Sequence, residues 1–514
     1  MRAEPTGIEL ALFSSRIEAV CEEMGAILQR AAFSPNIRDR LDFSCAVFDA
    51  KGELAAQAAH IPVHLGSMAF AMKQVVASLD WAPGDMVIFN DPFLGGTHLP
   101  DVTVIAPVFS GKRCLGFVAN RAHHADIGAS DPGSMPVSRS LTEEGLLITP
   151  SHLVRRGRFN RELMGRIVAA TGNPLQSEGD FAAQMSANRV GVQRIQALVE
   201  VMGADAFEQG LTALNDYAQR LASTAIEDIP DGTYTFQDVL DDDGQGHFDL
   251  PIAVSLRIRA GQVDVDFAGT APQVAGNVNC PLSVTAAAVF YVFRCLMPPH
   301  TPGCAGSFRP IRLHAPSETV VNAVRPAAVA AGNVETSSRI VDAVMGALAK
   351  ALPQHIAAAS QGTMNNVAMG GRGRMAWDYY ETIGGGMGAG PRGGGLSGVQ
   401  THMTNTLNTP IEVLEANLPL RVRRYALRRG SGGAGRRPGG DGLIREYEFL
   451  APATVNLLTE RRCHAPWGLA GGGPGQPGEN RLDGERLSGK TRLTVRAGQR
   501  LVIATPGGGA WGRP

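Results

Sequence analysis

Residues Trp81–Gly128 read WAPGDMVIFNDPFLGGTHLPDVTVIAPVFSGKRCLGFVANRAHHADIG. A strand is predicted at Met86–Phe89, stopped by Asn90-Asp91-Pro92, and two more at Val102–Phe109 and Leu115–Ala119. The polar residues then fall on the connections: His98 and Asp101 in GGTHLPD, and His123, His124 and Asp126 in RAHHADIG. A rigid sheet with such residues at its strand ends is a common setting for chemistry. Imidazole and carboxylate without thiolate suit Mn, Zn or Fe(II). Pro100 and the glycines exclude a helix through His98 and Asp101, so a loop must arrange that pair. His123 and His124 are neighbours, and in an extended segment neighbours point to opposite faces, so only one readily enters a given coordination sphere. The competing reading is a set of hydrogen-bonded loop residues tying strand ends together.

Working outward, apolar residues at helical spacing over 8–33 predict an amphipathic first helix, and DFSCAVFDAKGELAAQ predicts a hairpin turning at Asp49–Gly52. His60 and His64 in HIPVHLGS stand four apart, but Pro62 lies between them and argues against a helical metal pair. A helix is predicted near 67–79, helical sequence over 177–228, strands and turns from about Asp231, and a helix over 335–351 opened by a Thr/Ser capping signal. Beyond 382 the chain is glycine-rich (GGGMGAGPRGGG, GSGGAGRRPGGDG, GLAGGGPGQPG) but interleaved with runs such as LIREYEFL and LTVRAGQRLVIAT, which favours turns in a β-rich region over a flexible tail. The predicted fold class is therefore α+β with several domains. A mixed α/β N-terminal region with the metal site covers 1–228, a central α+β region of mixed sheets 229–425, and a Gly-rich, β-rich region 426–514.

The 514 residues carry 47 Lys+Arg against 48 Asp+Glu, so the charge balance points neither to nucleic acid nor to an anionic membrane. The N-terminus lacks an uninterrupted apolar core of a signal peptide and no run is long enough to span a bilayer, so a soluble, cytoplasmic protein is predicted. Seven scattered cysteines without a C-x-x-C pair argue against a disulfide framework or a thiolate zinc site. Gly484–Thr491, GERLSGKT, satisfies the phosphate-loop pattern, yet a strand-turn-strand sequence follows where a helix is required. Gly388-x-Gly390-x-x-Gly393 fails as a dinucleotide fingerprint for want of a strand-turn-helix setting. There is no G-x-S-x-G elbow, and Cys280 and Cys304 have no evident activating base.

NDPFLGGTHLPDVTV, RAHHADIG followed by DPGSMP, the EEG at Glu143–Gly145, AAGNVETSSRIVDAV, GTMNN, YYETIGGGMGAGP, SGVQTHMTNTLNTPIEVLE, GSGGAGRRPGGDG and TPGGGAWG together resemble the hydantoinase B/oxoprolinase family, over about residues 8–512. The resemblance implies a two-component, ATP-dependent cyclic amidohydrolase acting on C–N bonds. An A-type subunit binds ATP and Mg and phosphorylates a small cyclic amide, and the B-type chain completes ring opening of a lactam, hydantoin or 5-oxoproline, so a hetero-oligomer is expected. Acetone and acetophenone carboxylases have a similar large subunit, which keeps a carboxylase subunit as an alternative, and a non-catalytic scaffold for the ATP-using partner is a second. By the same resemblance His98, Asp101 and His123 are metal ligands, with Asp42 of LDFSC as a further one; His124, His60 and Asp126 take catalytic roles in proton transfer or ligand support. Cys304 stands where the family usually shows Asn.

Overall fold

The computed structural model describes residues 6–59, 61–372 and 376–514. His60 lies outside the described residues. Helix α1 (Gly7–Ala31) starts in a capping box between Thr6 and Glu9 and buries Phe13, Ile17, Val20, Met24 and Leu28. It stops short of the predicted residue 33 because the extended chain at Ala32 leads into α2 (Pro35–Arg38), with Pro35 at its first position.

The first sheet contains β1 (Phe43–Asp49), β2 (Leu54–Ala59), β3 (Met86–Phe89), β4 (Asp101–Ser110), β5 (Arg113–His123), β6 (Ser151–Arg155) and β7 (Arg158–Phe159), in the order β2-β1-β5-β4-β3-β6-β7. Every neighbouring pair is antiparallel. Both faces of its central strands are buried. Cys45, Val47, Val104 and Val118 pack with α1, α5 (Pro174–Met202) and α6 (Ala204–Glu227), while Ala46, Phe48, Ile105 and Phe117 pack with α3 (His64–Ser78). Helix α3 starts just after Pro62, three residues before the predicted start, and carries His64 at its first position. A shorter helix, α4 (Arg161–Ala169), leads into α5.

The second sheet, β11-β10-β9-β8, contains β8 (Gly232–Asp242), β9 (Phe248–Arg259), β10 (Gln262–Asp266) and β11 (Ile311–His314). Its inward residues Ile252, Val254 and Leu256 meet α7 (Leu282–Leu296) and α8 (Ser337–Ala351) in one core. Helix α7, unassigned in the sequence reading, is apolar nearly all round (LSVTAAAVFYVFRCL), as befits a helix packed between α3 and α8. The Thr/Ser signal before α8 is not a cap. A single π-turn at Gly332–Thr336 runs directly into the helix, Thr336 Oγ1 donates to Val278 O, and Ser337 Oγ donates to Asn333 O at 2.6 Å.

The remaining strands are β12 (Asn366–Gly371), β13 (Trp377–Glu381), β14 (Leu420–Arg428), β15 (Gly442–Phe449), β16 (Ala453–Leu458), β17 (Glu479–Leu482), β18 (Glu485–Leu487), β19 (Lys490–Val495) and β20 (Arg500–Ala504). They form sheets of order β13-β12-β16-β19 and β14-β15-β20-β17-β18, with α9 (Ile411–Asn417) beside β14. The boundary predicted at 425/426 falls inside β14, and β12 and β13 share a sheet with β16 and β19 from beyond it. Within GERLSGKT no helix follows, and Lys490 is buried against Glu460 Oε1 at 2.5 Å.

The glycine-rich segments are neither a loose tail nor mainly turns. Extended chains around 384–390, 432–440 and 507–509 lie backbone to backbone and exchange hydrogen bonds, as in Gly386 N to Pro506 O, Gly440 N to Met387 O and Gly508 N to Gly440 O, each at 2.9 Å. Glycine is needed there for proximity. A Cβ on Gly388 would lie 1.8 Å from Ala358 O. Gly388→Ala should therefore lower stability by about 1–3 kcal/mol or more, as overpacking does. Gly393→Ala, where a Cβ meets nothing within 4 Å, should stay within about 0.5 kcal/mol of the wild type in chemical denaturation.

Glu144, in the turn after the 3-10 segment Leu141–Glu143, is fully buried. Its Oε1 accepts from Ser138 Oγ at 2.7 Å and from Val329 N and Ala330 N at 2.9 Å, tying this loop to the residues just before the π-turn. Burial pushes its carboxyl up to about 7, against the opposing hydrogen bonds. The folded chain thus keeps a proton that the unfolded chain releases near pH 4.5, and this group's contribution to stability declines as pH rises from about 4.5 to 7. Glu144→Gln keeps the accepting oxygen and cannot ionise. Its stability relative to the wild type should rise across that window, by up to about 1.4 kcal/mol per pH unit, in unfolding measured at several pH values.

Candidate metal centre

Three strand ends meet at one edge of the first sheet. Asp101, the first residue of β4, pairs in register with His123, the last of β5, and His123 N donates to Asp42 O at 3.0 Å on the other side. Asp42, His123 and Asp101 therefore stand side by side. His98 arrives on the loop before β4. That loop is held by Asn90 Nδ2 donating to Leu99 O at 2.8 Å, by Arg121 Nη2 donating to Gly95 O at 3.2 Å and by Ser283 Oγ donating to Gly96 O at 2.5 Å. Gly95 has φ +90°, and a Cβ there would strike Ala71 Cα at 2.3 Å, so both its conformation and its contact with α3 demand glycine.

His98 Nε2, His123 Nδ1 and Asp101 Oδ1 converge. His98 Nε2 is 3.2 Å from each of the other two, and His123 Nδ1 is 3.0 Å from Asp101 Oδ1. All three side chains are buried. Among the described residues this is the one group of three His, Cys, Asp or Glu whose ligand atoms lie within 4.8 Å of one another. Asp42 lines the same cavity and forms an ion pair with Arg40 Nη2 at 3.8 Å, outside that closest group.

The other oxygen of Asp101 is occupied by the protein itself. His64 Nε2 donates to Asp101 Oδ2 at 3.3 Å, Thr97 Oγ1 donates to the same atom, and Ser44 Oγ lies 3.0 Å from His64 Nδ1. These contacts assign the Nε2–H tautomer to His64 and leave Oδ1 turned toward the two imidazoles. Burial works to raise the Asp101 carboxyl, but the charge of His98 and the hydrogen bonds from the three histidines hold it well below the usual carboxylate range. Burial likewise opposes charge on His98, and Asp101 outweighs it and raises the imidazole. His123 is stacked on Tyr380 with ring centroids 4.8 Å apart, and Tyr380 is in turn fixed by its hydroxyl to Asn366 Oδ1 at 2.7 Å.

His64 and Tyr380 escaped the sequence reading of the ligand cluster. The spacing of His60 and His64 drew attention to the segment, but nothing local reveals that His64 reaches Asp101. His124 turns the other way, as strand alternation requires. It stacks on Phe181 at 4.2 Å, and its Nε2 donates to Gln184 Oε1 at 3.0 Å. Burial lowers its pKa. Asp126 ties its loop together, accepting from Gly128 N at 2.7 Å and Gly172 N at 2.6 Å. His124 and Asp126 line a second cavity with Asp180 and Asp378, separate from that of His98, Asp101 and His123. Cys304 is buried against α6, its thiol pushed up to about 11 by burial, and it does not line the cavity.

The donor set suits a divalent cation: two imidazole nitrogens and a carboxylate oxygen face one another in a buried cavity. The cavity walls combine apolar Val334, Met364 and Tyr380 with the hydroxyls of Thr382, Thr404 and Thr406. Among the described residues, no helix is long and apolar enough to cross a membrane.

Known proteins share this architecture. The chain is 41% identical over 522 residues to an uncharacterized protein of Methanocaldococcus jannaschii, covering 99% of this chain and 91% of that one. It is 39% identical over 541 residues to 5-oxoprolinase 1 of Arabidopsis thaliana, covering 98% of this chain but 42% of the relative, so it spans about two fifths of that longer protein. The crystal structure of an ATP-dependent caprolactamase from Pseudomonas jessenii superposes with a TM-score of 0.93 at 29% identity, covering 100% of this chain and 93% of that one. A nucleotide-free acetone carboxylase shares the fold, with a TM-score of 0.88 at 17% identity over 98% of this chain and 76% of that one. A family model described as hydantoinase B/oxoprolinase matches residues 6–514, and the chain belongs to that family.

Proposed function

We propose that this chain is the B-type component of an ATP-dependent cyclic amidohydrolase. It would open the ring of a small amide substrate, activated by phosphorylation on an A-type partner, at a divalent cation held by His98, Asp101, His123 and Asp42. The observation that carries the reading is the convergence of His98 Nε2, His123 Nδ1 and Asp101 Oδ1 in a buried cavity. Supporting it are the likeness to a caprolactamase named as ATP-dependent and the 39% identity to a 5-oxoprolinase over 98% of this chain.

A lactam carbonyl is a weak electrophile, and phosphorylating its oxygen makes the carbon far easier to attack. A bound Mn, Zn or Fe(II) would supply Lewis acidity and a nucleophile at neutral pH. The chain's own residues do the rest. His64 and Thr97 hold Asp101 Oδ2, so that Oδ1 stays aimed inward, and Tyr380 keeps the His123 ring in place. Val334, Met364 and Tyr380 exclude water around a ring, and the threonine hydroxyls offer hydrogen bonds to its polar atoms. The leaving nitrogen needs a proton. His124 and Asp126 open onto the neighbouring cavity, and the Nε2–H of His64 is already given to Asp101 Oδ2, so His64 acts by positioning Asp101 and solvent delivers the proton.

Reconstitution with an A-type partner, ATP and a panel of lactams and hydantoins tests the reading. Ring opening that depends on both chains is expected; ATP consumption without any ring opening would sink it. Bicarbonate- and ketone-dependent product would establish the carboxylase alternative instead. The double variant His98→Ala/Asp101→Ala should lose its divalent metal in elemental analysis and its activity, whereas full activity would leave only a scaffold. His64→Gln should reduce turnover by about 10–100-fold, and His124→Ala should cost far less.

A further inference from the structure

Asn333 sits on the π-turn that precedes α8, and nothing in the ligand set above uses it. Such turns insert an extra residue and re-aim the side chains around them. Here the turn is rigid: Asn333 O accepts from Ser337 Oγ at 2.6 Å, and Thr336 Oγ1 is tied to Val278 O. The result is that a carboxamide from the middle of the chain enters the cavity of His98, Asp101 and His123.

Its Nδ2 lies 3.2 Å from His98 Nε2, the same atom that faces Asp101 Oδ1 and His123 Nδ1. Its Oδ1 is buried and has no partner. The two halves of a carboxamide exchange places by a half-turn about the last torsion. When the His98 lone pair is given to a cation, an N–H cannot remain pointed at that nitrogen. The half-turn relieves the conflict and gives the unpaired oxygen an electropositive partner. A neutral amide also adds a donor without adding charge to a site that already has the carboxylates of Asp101 and Asp42.

We infer that Asn333 is a further residue of the cation site, presenting its amide oxygen to the metal held by His98, Asp101 and His123. This rests on the cation-site reading above. An oxygen donor of this kind favours Mn(II) or Fe(II) over Zn(II) relative to an all-imidazole set.

The test is Mn(II) affinity of the full chain, measured by the electron paramagnetic resonance of free Mn(II), for the wild type, Asn333→Ala and Asn333→Asp, with thermal unfolding of each to verify the fold. Alanine removes the oxygen and should weaken binding by about 10–100-fold. Aspartate keeps an oxygen at the same reach and should bind within about tenfold of the wild type or more tightly. Equal affinity of wild type and Asn333→Ala would overturn the inference. So would equal loss in both variants, which would place the need in the amide N–H rather than the oxygen. A wild-type chain that binds neither Mn(II) nor Zn(II) would instead overturn the cation site itself, a result distinct from the other two.

Discussion

The register of three antiparallel strands carries this structure. With β5 lying between β1 and β4, Asp101 is set directly opposite His123, and the backbone of His123 is bonded to that of Asp42. Because the central strands are buried on both faces, a slip of one residue would send Val104, Val118 and their neighbours out of one core and Ile105 and Phe117 out of the other. The two cores therefore hold the register, and the register holds Asp42, His123 and Asp101 side by side.

The rest of the cavity comes from distant parts of the chain. Val334 lies on the π-turn, Tyr380 on β13, and Thr404 and Thr406 on the glycine-rich side. These walls are locked by a buried ion network. Arg461 binds Asp238 at 2.8 Å and Asp342 at 2.6 Å, while Arg339 reaches Asp238 at 3.3 Å and Glu460 at 3.4 Å. Lys490, from the segment that mimics a phosphate loop, closes it on Glu460. Removing one member of such a network typically costs about 3–5 kcal/mol, because the remaining charge is left buried without its partner. The network joins β8, α8 and the sheet of β16 and β19, so it keeps the site's far wall in position.

What was legible followed from local pattern. The strand Met86–Phe89 agrees residue for residue, and β4 and β5 extend the predicted runs by one to four residues at their ends. Strand alternation separated His123 from His124, and α3 starts at His64, just after Pro62. Helix α7 was not legible because an all-apolar run has no periodicity to betray it. The glycine segments were read as turns because glycine's usual service is conformational; here its service is the absence of a side chain between closely packed backbones.

The sequence by itself determined the family, the strand-and-loop frame around HLPD and HH, and the imidazole and carboxylate character of the candidate site, since residue type and spacing alone carry that information. Only the tertiary structure decided that Asp101 spends one oxygen on His64 and Thr97 and aims the other at His98 and His123, that Tyr380 braces the cluster, and that Asn333 enters it. Apart from Thr97 and His98, which stand just before Asp101 in the chain, those contacts join residues tens to hundreds of positions apart. Their partners are chosen by packing and by the register of a buried sheet, which no local pattern encodes.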